Sequence, residues 1–310
     1  MNIILANPRG FCAGVDRAIE ITNKALDMFG APIYVKHEIV HNKYVVDELK
    51  EKGVIFVENV KKVPSHSILI YSAHGVSEEI IRHSKENNLK VFNATCPLVT
   101  KVHMEVYRLA SKNINTILIG HKGHPEVEGT LGRYNSNADS QIILIENTKD
   151  LDKLNFDKDK EIAYVTQTTL SIDDTKNIVK AIKSKYKNVI EPAKGDICYA
   201  TQNRQNAVKE LTKKCDIIFV VGSENSSNSN RLKEISTRAD VPSYLIDGAD
   251  DLDINWLSNK KNIGLTAGAS APEILVQTII NKLKSFGALK VIESDGVKED
   301  IIFKIPKELN

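Results

Sequence analysis

A chain of 310 residues, 42% hydrophobic and 26% charged, is long enough for a substantial core and for two or three domains. Lysine plus arginine (42) nearly balances aspartate plus glutamate (40), so the formal charge of +2 supplies no broad basic surface and argues against nucleic acid as a partner. No apolar run approaches the roughly 18 to 20 residues that cross a bilayer, and Pro8 and Arg9 interrupt the short apolar start Ile3-Ile-Leu5, so no membrane association and a cytoplasmic location are expected.

The first third opens with a strand at Asn2 to Ala6 and a turn at Pro8-Arg-Gly10. A helix follows from about Gly14; its Ala18, Ile19, Ile21, Ala25 and Leu26 make an apolar face, and Gly30 ends it. Short β-branched runs predict strands near Ile33, Val54 and Ile68, with helices near Tyr44 to Lys52 and Ser77 to Asn87. A strand at Lys90 to Phe92 then leads to Cys96. The second third repeats the order: a helix from Pro97, strands near Ile117, Ile142 and Ile162, a helix over Ile172 to Lys185, and a strand near Val189 leading to Cys198. In the third come a helix over Ala200 to Lys213, strands near Ile217, Tyr244 and Ile263, a helix over Pro272 to Ser285, and a strand at Leu289 to Ile292.

Alternating strands and helices with short connections predict an α/β fold of small, mostly parallel sheets flanked by helices. The repeat of roughly a hundred residues predicts three lobes related by a pseudo-threefold axis around a central site. Their expected bounds are 1–95 with Cys12, 96–194 with Cys96 and 195–285 with Cys198, followed by a final strand and tail over 286–310.

The three cysteines head matching stretches. It is 29 residues from Cys12 to His41, 28 from Cys96 to His124 and 28 from Cys198 to Ser226. A second set of markers lies 62, 72 and 72 residues downstream, at His74, Thr168 and Ser270. Every marker follows an apolar run, and residues just past the C-terminal ends of parallel strands are where open α/β sheets place their chemistry.

Each cysteine also stands just before a predicted helix, where the N-terminal dipole favours anions and lowers a thiol pKa. Taken singly, each is as readily an ordinary buried cysteine as a ligand. As a register-matched triplet in a reducing compartment they point to one shared metal site. Three thiolates suit a cubane iron-sulfur cluster with one iron left open, since a closed site usually takes four. Cys215 follows Lys213-Lys214, leads into an apolar run and has no counterpart in the other thirds, so it reads as structural.

Other motifs leave alternatives open. His37-Glu-Ile-Val-His41 spells H-E-x-x-H, which serves zinc hydrolysis through His37, Glu38 and His41 only on a helix; here a strand runs into it, and Asn42 reads as the cap of the helix that follows. His121-Lys-Gly-His-Pro-Glu126 brings imidazole and carboxylate together, with Glu126 a proton donor if it is desolvated and otherwise part of a solvated loop. Asn225-Ser-Ser-Asn-Ser-Asn230 offers hydroxyls, amides and backbone N–H groups at a helix start, an anion cradle or simply a capped turn. Neither a phosphate-binding P-loop nor a G-x-G-x-x-G dinucleotide motif occurs.

Together these motifs resemble the 4-hydroxy-3-methylbut-2-enyl diphosphate reductase family of the non-mevalonate isoprenoid route. The resemblance rests on Pro8-Arg-Gly-Phe-Cys-Ala-Gly14, His37-Glu-Ile-Val-His-Asn42, Ser72-Ala-His-Gly75, Ala94-Thr-Cys-Pro97, Gly123-His-Pro-Glu126, Thr166-Gln-Thr-Thr-Leu170, Asn225-Ser-Ser-Asn-Ser-Asn-Arg231 and Gly268-Ala-Ser-Ala-Pro272. It implies a 4Fe-4S cluster held by Cys12, Cys96 and Cys198, with the fourth iron open to substrate. It implies that His41, His74, His124, Ser226, Ser227, Asn228 and Ser270 hold the diphosphate, that Thr168 lies near the substrate hydroxyl, and that Glu126, with Thr168 and His124, serves the chemistry. The implied reaction is reductive dehydroxylation to isopentenyl and dimethylallyl diphosphate, with two electrons from a donor such as ferredoxin or flavodoxin. Some members carry an appended RNA-binding-type domain, and none is expected within these 310 residues. The rivals are a zinc-dependent hydrolase using His37, Glu38 and His41, and a non-catalytic diphosphate-binding module.

Overall fold

The computed structural model describes residues 1–135 and 140–309. Strands and helices alternate along it. The first run is β1 (Asn2–Leu5), α1 (Ala13–Phe29), β2 (Ile33–Lys36), α2 (Lys43–Glu51), β3 (Val54–Val57), β4 (Ile68–Tyr71), α3 (Glu78–Glu86) and β5 (Lys90–Asn93). The next is α4 (Pro97–Ser111), β6 (Asn115–Ile119), α5 (Pro125–Leu131), β7 (Ile142–Ile145), β8 (Glu161–Thr166), α6 (Ile172–Lys185) and β9 (Asn188–Ile190). The last is α7 (Tyr199–Thr212), β10 (Ile217–Val221), α8 (Ser227–Arg238), β11 (Ser243–Ile246), β12 (Asn262–Ala267), α9 (Glu273–Ser285) and β13 (Lys290–Glu293).

The strands form three small sheets, ordered β3-β2-β4-β5, β7-β6-β8-β9 and β11-β10-β12-β1-β13. Every pairing among them is parallel. By contact the chain falls into two compact units. One comprises 1–16, 40–51 and 199–302 and holds the five-stranded sheet; the other comprises 17–39, 52–198 and the residues from Phe303 onward and holds the two four-stranded sheets.

The three sheets repeat one connectivity. In each, the first strand sits between the second and third, and the fourth lies beyond the third; the fourth position is filled by β5, by β9 and, in the third sheet, by β1. The chain start therefore belongs elsewhere than the sequence suggests. Asn2–Leu5, assigned with Cys12 to 1–95, pairs instead with Asn262–Leu265 and Lys290–Glu293. The repeat is circular: each cysteine follows a fourth strand, and the last repeat borrows its fourth strand from the N-terminus.

Apolar residues on both faces of these strands explain the continuous runs in the sequence. In the five-stranded sheet, Ile3, Leu5, Ile217, Phe219, Ile263 and Leu265 pack one way with α9 through Val276, Ile279 and Leu283. Ile218 and Val220 pack the other way with Val208, Leu211 and Leu232. Fully burying one such side chain stabilises by about 1.5–3 kcal/mol. Cys215 sits in this second layer, and burial pushes its thiol up to about 12, as befits a structural residue. The final segment is anchored in each unit: β13 pairs with β1, while Lys304 offers its carbonyl to Arg17 Nε at 2.7 Å and Leu309 is buried.

Candidate functional site

In each sheet the strand order reverses between the first and third strands: between β2 and β4, between β6 and β8, and between β10 and β12. Such switch points are where open α/β sheets bind ligands. The loops leaving those strands carry the marked residues.

Past β6 the chain turns at Gly120, and the His121 N–H is held by Gln167 Oε1 at 3.0 Å. His124 caps α5, its Nδ1 accepting the Glu126 N–H at 3.1 Å. The segment is thus not the solvated loop that the sequence leaves open. Glu126 lies in the first turn of α5 and is only 3% exposed, and the next residue, Val127, packs in the core with Leu118 and Val165.

There both carboxylate oxygens meet Thr168: Oε1 accepts its N–H at 2.6 Å and Oε2 its hydroxyl at 2.9 Å. Burial pushes the Glu126 carboxyl up to about 7, outweighing those two bonds, and the carboxylate of Asp196 adds to the rise. Asp196 is itself buried and accepts the Thr166 N–H at 3.0 Å. A carboxylic acid so placed holds its proton near neutrality and can release it to a bound substrate.

Beside it stands a row of imidazoles. The rings of His74 and His124 meet edge to face at 5.7 Å, and those of His37 and His74 at 5.8 Å. Ser72 Oγ approaches His74 Nδ1 at 3.3 Å, and Glu58 Oε1 approaches His37 Nδ1 at 2.7 Å. His37 has a φ of 61° and precedes α2, so the H-E-x-x-H segment is a loop. The helix on which that motif works does not form, although one ligand atom from each of His37, Glu38 and His41 lies within 4.8 Å of the others.

The unit with the five-stranded sheet carries amides and hydroxyls. Ser226 caps α8, its Oγ taking the Ser229 N–H at 3.3 Å and the Ser229 hydroxyl at 3.0 Å. Asn228 is 5% exposed, and neither its Nδ2 nor its Oδ1 has a hydrogen-bond partner. A buried amide left unpaired costs about 1–3 kcal/mol, so its survival points to a ligand. Gly222 and Gly268 flank this turn so closely that an added Cβ would come within 2.2 and 2.1 Å of Ser229 Oγ. Ser270 donates to the His41 carbonyl at 2.8 Å, and Asn42 caps α2 as expected, accepting the Val45 N–H at 3.1 Å.

The cysteines share one setting. Cys12 precedes α1, Cys96 is the cap residue of α4, and Cys198 precedes α7. Their N–H groups bond the second residue past a third strand: Cys12 to the Ala269 carbonyl at 3.3 Å, Cys96 to Ala73 at 3.0 Å and Cys198 to Thr168 at 3.0 Å. This places Thr169, rather than Thr168, in register with His74 and Ser270. One expectation fails: at Cys12, burial of the sulfur raises the thiol pKa, outweighing the Arg204 charge and the amides of Val15 and Gly14 that lower it. Cys12, Cys96 and Cys198 thus each stand at a helix start, outside any disulfide, whereas Cys215 is locked in the core.

Sequence reasoning misses Asp196, Gln167 and Ser229. Gln167 and Ser229 lie inside motifs already singled out, but Asp196 carries no signal beyond standing two residues before Cys198.

A family model, LytB protein, matches residues 3–284, a span that holds every one of these candidates. The chain belongs to the LytB family. Membership makes it an oxidoreductase. It is 56% identical over 309 residues to the 4-hydroxy-3-methylbut-2-enyl diphosphate reductase of Saccharophagus degradans, covering 100% of this chain and 99% of that one. It is 57% identical over 309 residues to the enzyme of that name from Glaesserella parasuis, covering 100% and 98%. Among solved structures, the E-1-hydroxy-2-methyl-but-2-enyl-4-diphosphate reductase of Plasmodium falciparum superposes with a TM-score of 0.95 at 44% identity, over 99% of this chain and 96% of that one. A second structure, an (E)-4-hydroxy-3-methyl-but-2-enyl diphosphate reductase described as the terminal enzyme of the non-mevalonate pathway, gives 0.66 at 31% identity, over 92% and 100%. The three parallel sheets flanked by helices are thus the LytB fold. No helix among the described residues is long and apolar enough to cross a membrane.

Proposed function

We propose that this LytB-family chain is a 4-hydroxy-3-methylbut-2-enyl diphosphate reductase. It removes the allylic hydroxyl as water and yields isopentenyl and dimethylallyl diphosphate. The balance is one substrate, two electrons and two protons in, and one C5 diphosphate and one water out; the C–O bond breaks and a C–H bond forms. A 4Fe-4S cluster held by Cys12, Cys96 and Cys198 would supply the electrons, delivered by a one-electron donor such as ferredoxin or flavodoxin. The absence of a fourth equivalent cysteine suits a cubane with one open iron better than a closed four-cysteine zinc site.

The observation that carries the reading is the Glu126 and Thr168 pair. At neutral pH a large share of Glu126 is protonated. When Glu126 is protonated at Oε2 the 2.9 Å bond reverses, Oε2–H donating to Thr168 Oγ; the Thr168 hydroxyl is then free to donate to the substrate hydroxyl, and the pair can relay the proton. His41, His74, His124, Ser226, Ser227, Asn228 and Ser270 receive the diphosphate. Asn228, buried and unpaired, is the residue whose chemistry most directly asks for an oxygen-rich ligand.

The test is anaerobic turnover with a reduced viologen dye. Two electrons consumed per substrate, with both C5 diphosphates as products, would support the reading. Diphosphate binding without dye oxidation would leave a binding module instead, and chelator-sensitive hydrolysis would favour zinc.

A further inference from the structure

Each helix opened by one of the three cysteines carries a cation five or six residues on: Arg17 in α1, Lys101 in α4 and Arg204 in α7. Each of these cations places at least one donor on the backbone leading into a different cysteine.

Arg204 is fully buried. Its Nε and Nη2 donate to the Gly10 carbonyl at 3.0 and 2.7 Å, and Nη2 also reaches the Phe11 carbonyl at 3.1 Å. These are the two residues before Cys12. Arg17 donates to the carbonyls of Thr95 at 3.1 Å and Asn93 at 3.2 Å, just ahead of Cys96. Lys101 donates to the carbonyls of Lys194 and, at 3.2 Å, Gly195, ahead of Cys198, and meets Asp196 at 3.3 Å. The order is cyclic: the Cys12 helix holds the Cys96 loop, the Cys96 helix the Cys198 loop, and the Cys198 helix the Cys12 loop. One such contact is ordinary loop anchoring. Three in matching register, aimed at the same kind of target, form a single device.

We infer that Arg17, Lys101 and Arg204 are positioning residues for the three cysteine ligands, each fixing the backbone that presents the next cysteine, with Arg17 and Arg204 also setting a positive charge near Cys96 and Cys12. The inference rests on the cluster reading above. Neutral peptide carbonyls do not cancel a charge, but the Asp196 carboxylate pairs with Lys101 at 3.3 Å, so the electrostatic part of the role falls to Arg17 and Arg204. A cluster becomes more negative when reduced, so a fixed nearby cation favours the reduced form and raises the potential. Around Arg204 the effect is trimmed by Glu299, whose carboxylate meets Nη1 at 3.1 Å and also takes the Asn203 amide at 2.9 Å.

The experiment compares iron content and cluster midpoint potential, under anaerobic conditions, in the wild-type chain and in Arg204→Met, Arg204→Lys and Glu299→Gln. Arg204→Met should lower the potential, Glu299→Gln should raise it, and Arg204→Lys should stay nearer the wild type than Met does. Opposite signs for the two partners are not what a merely structural contact gives. Should Arg204→Met fail to fold, Glu299→Gln carries the test alone, since its side chain is 14% exposed and changes by one charge at constant shape. Potentials unmoved, or moved in one direction by both, in chains that hold their cluster overturn this inference alone. A wild-type chain that binds no cluster overturns the functional reading itself, and this inference with it.

Discussion

Glu126 and Thr168, both buried, bind each other through two bonds at once, backbone N–H to Oε1 at 2.6 Å and hydroxyl to Oε2 at 2.9 Å. The pair joins the first turn of α5 to the loop after β8. Its consequences for pH and rate are specific.

The Glu126 carboxyl is raised to about 7 in the folded chain from an ordinary value of 4.5. The folded state then binds this proton more tightly than the unfolded state does. The group's contribution to stability is full below the unfolded value and is lost as pH rises through the folded one, by on the order of 3 kcal/mol. Glu126→Gln should therefore lose stability relative to wild type at pH 5 but match or exceed it at pH 8, read from melting temperatures at both. Turnover should fall by about a hundredfold or more. Rates near wild type would remove Glu126 from the proton path.

Thr168→Val removes one of the two bonds that pull the Glu126 pKa down. The alkaline limb of the rate profile should shift to higher pH even as the rate drops, because the relay hydroxyl is gone. Thr168→Ser should restore both limb and rate. A limb that stays in place in Thr168→Val would detach the two residues functionally.

Asn228→Ala should show a trade-off between stability and binding. The buried amide has no partner, so its removal should cost little stability or even raise it. Competition by inorganic diphosphate should weaken by about tenfold or more, the worth of one or two hydrogen bonds. Unaltered competition would contradict a role in diphosphate binding.

Cys12→Ser, Cys96→Ser and Cys198→Ser should each lose iron and activity together. Cys215→Ala, a change within the core layer of the five-stranded sheet, should keep iron and cost about 1 kcal/mol of stability. Equal iron in all four variants would break the ligand assignment.

Much of this architecture is legible in the sequence because the sheets are parallel and covered on both faces, which leaves runs such as Ile217 to Val221 uninterrupted by polar residues. Helix α5 is not legible: at seven residues it is too short to show a period, and it hides behind His124 and Pro125. The place of β1 cannot be read locally either, since Asn2 pairs with Asn262 across nearly the whole chain. The cysteine triplet is legible through spacing alone. By contrast, Arg17, Lys101 and Arg204 act on backbone carbonyls, which leave no side-chain pattern to read, and Asp196 acts on Glu126 through space. The offset between Thr168 and Thr169 shows the limit of counting: the spacing finds the loop but not the residue that shares the register of His74 and Ser270.

The measurement that bears most directly on the central claim is iron and acid-labile sulfide per chain after strictly anaerobic purification, read with electron paramagnetic resonance of the reduced protein. A 4Fe-4S cluster on Cys12, Cys96 and Cys198 predicts about four of each and a signal lost in each single cysteine variant. A colourless chain with zinc or no metal, still competent toward the allylic diphosphate, would contradict it.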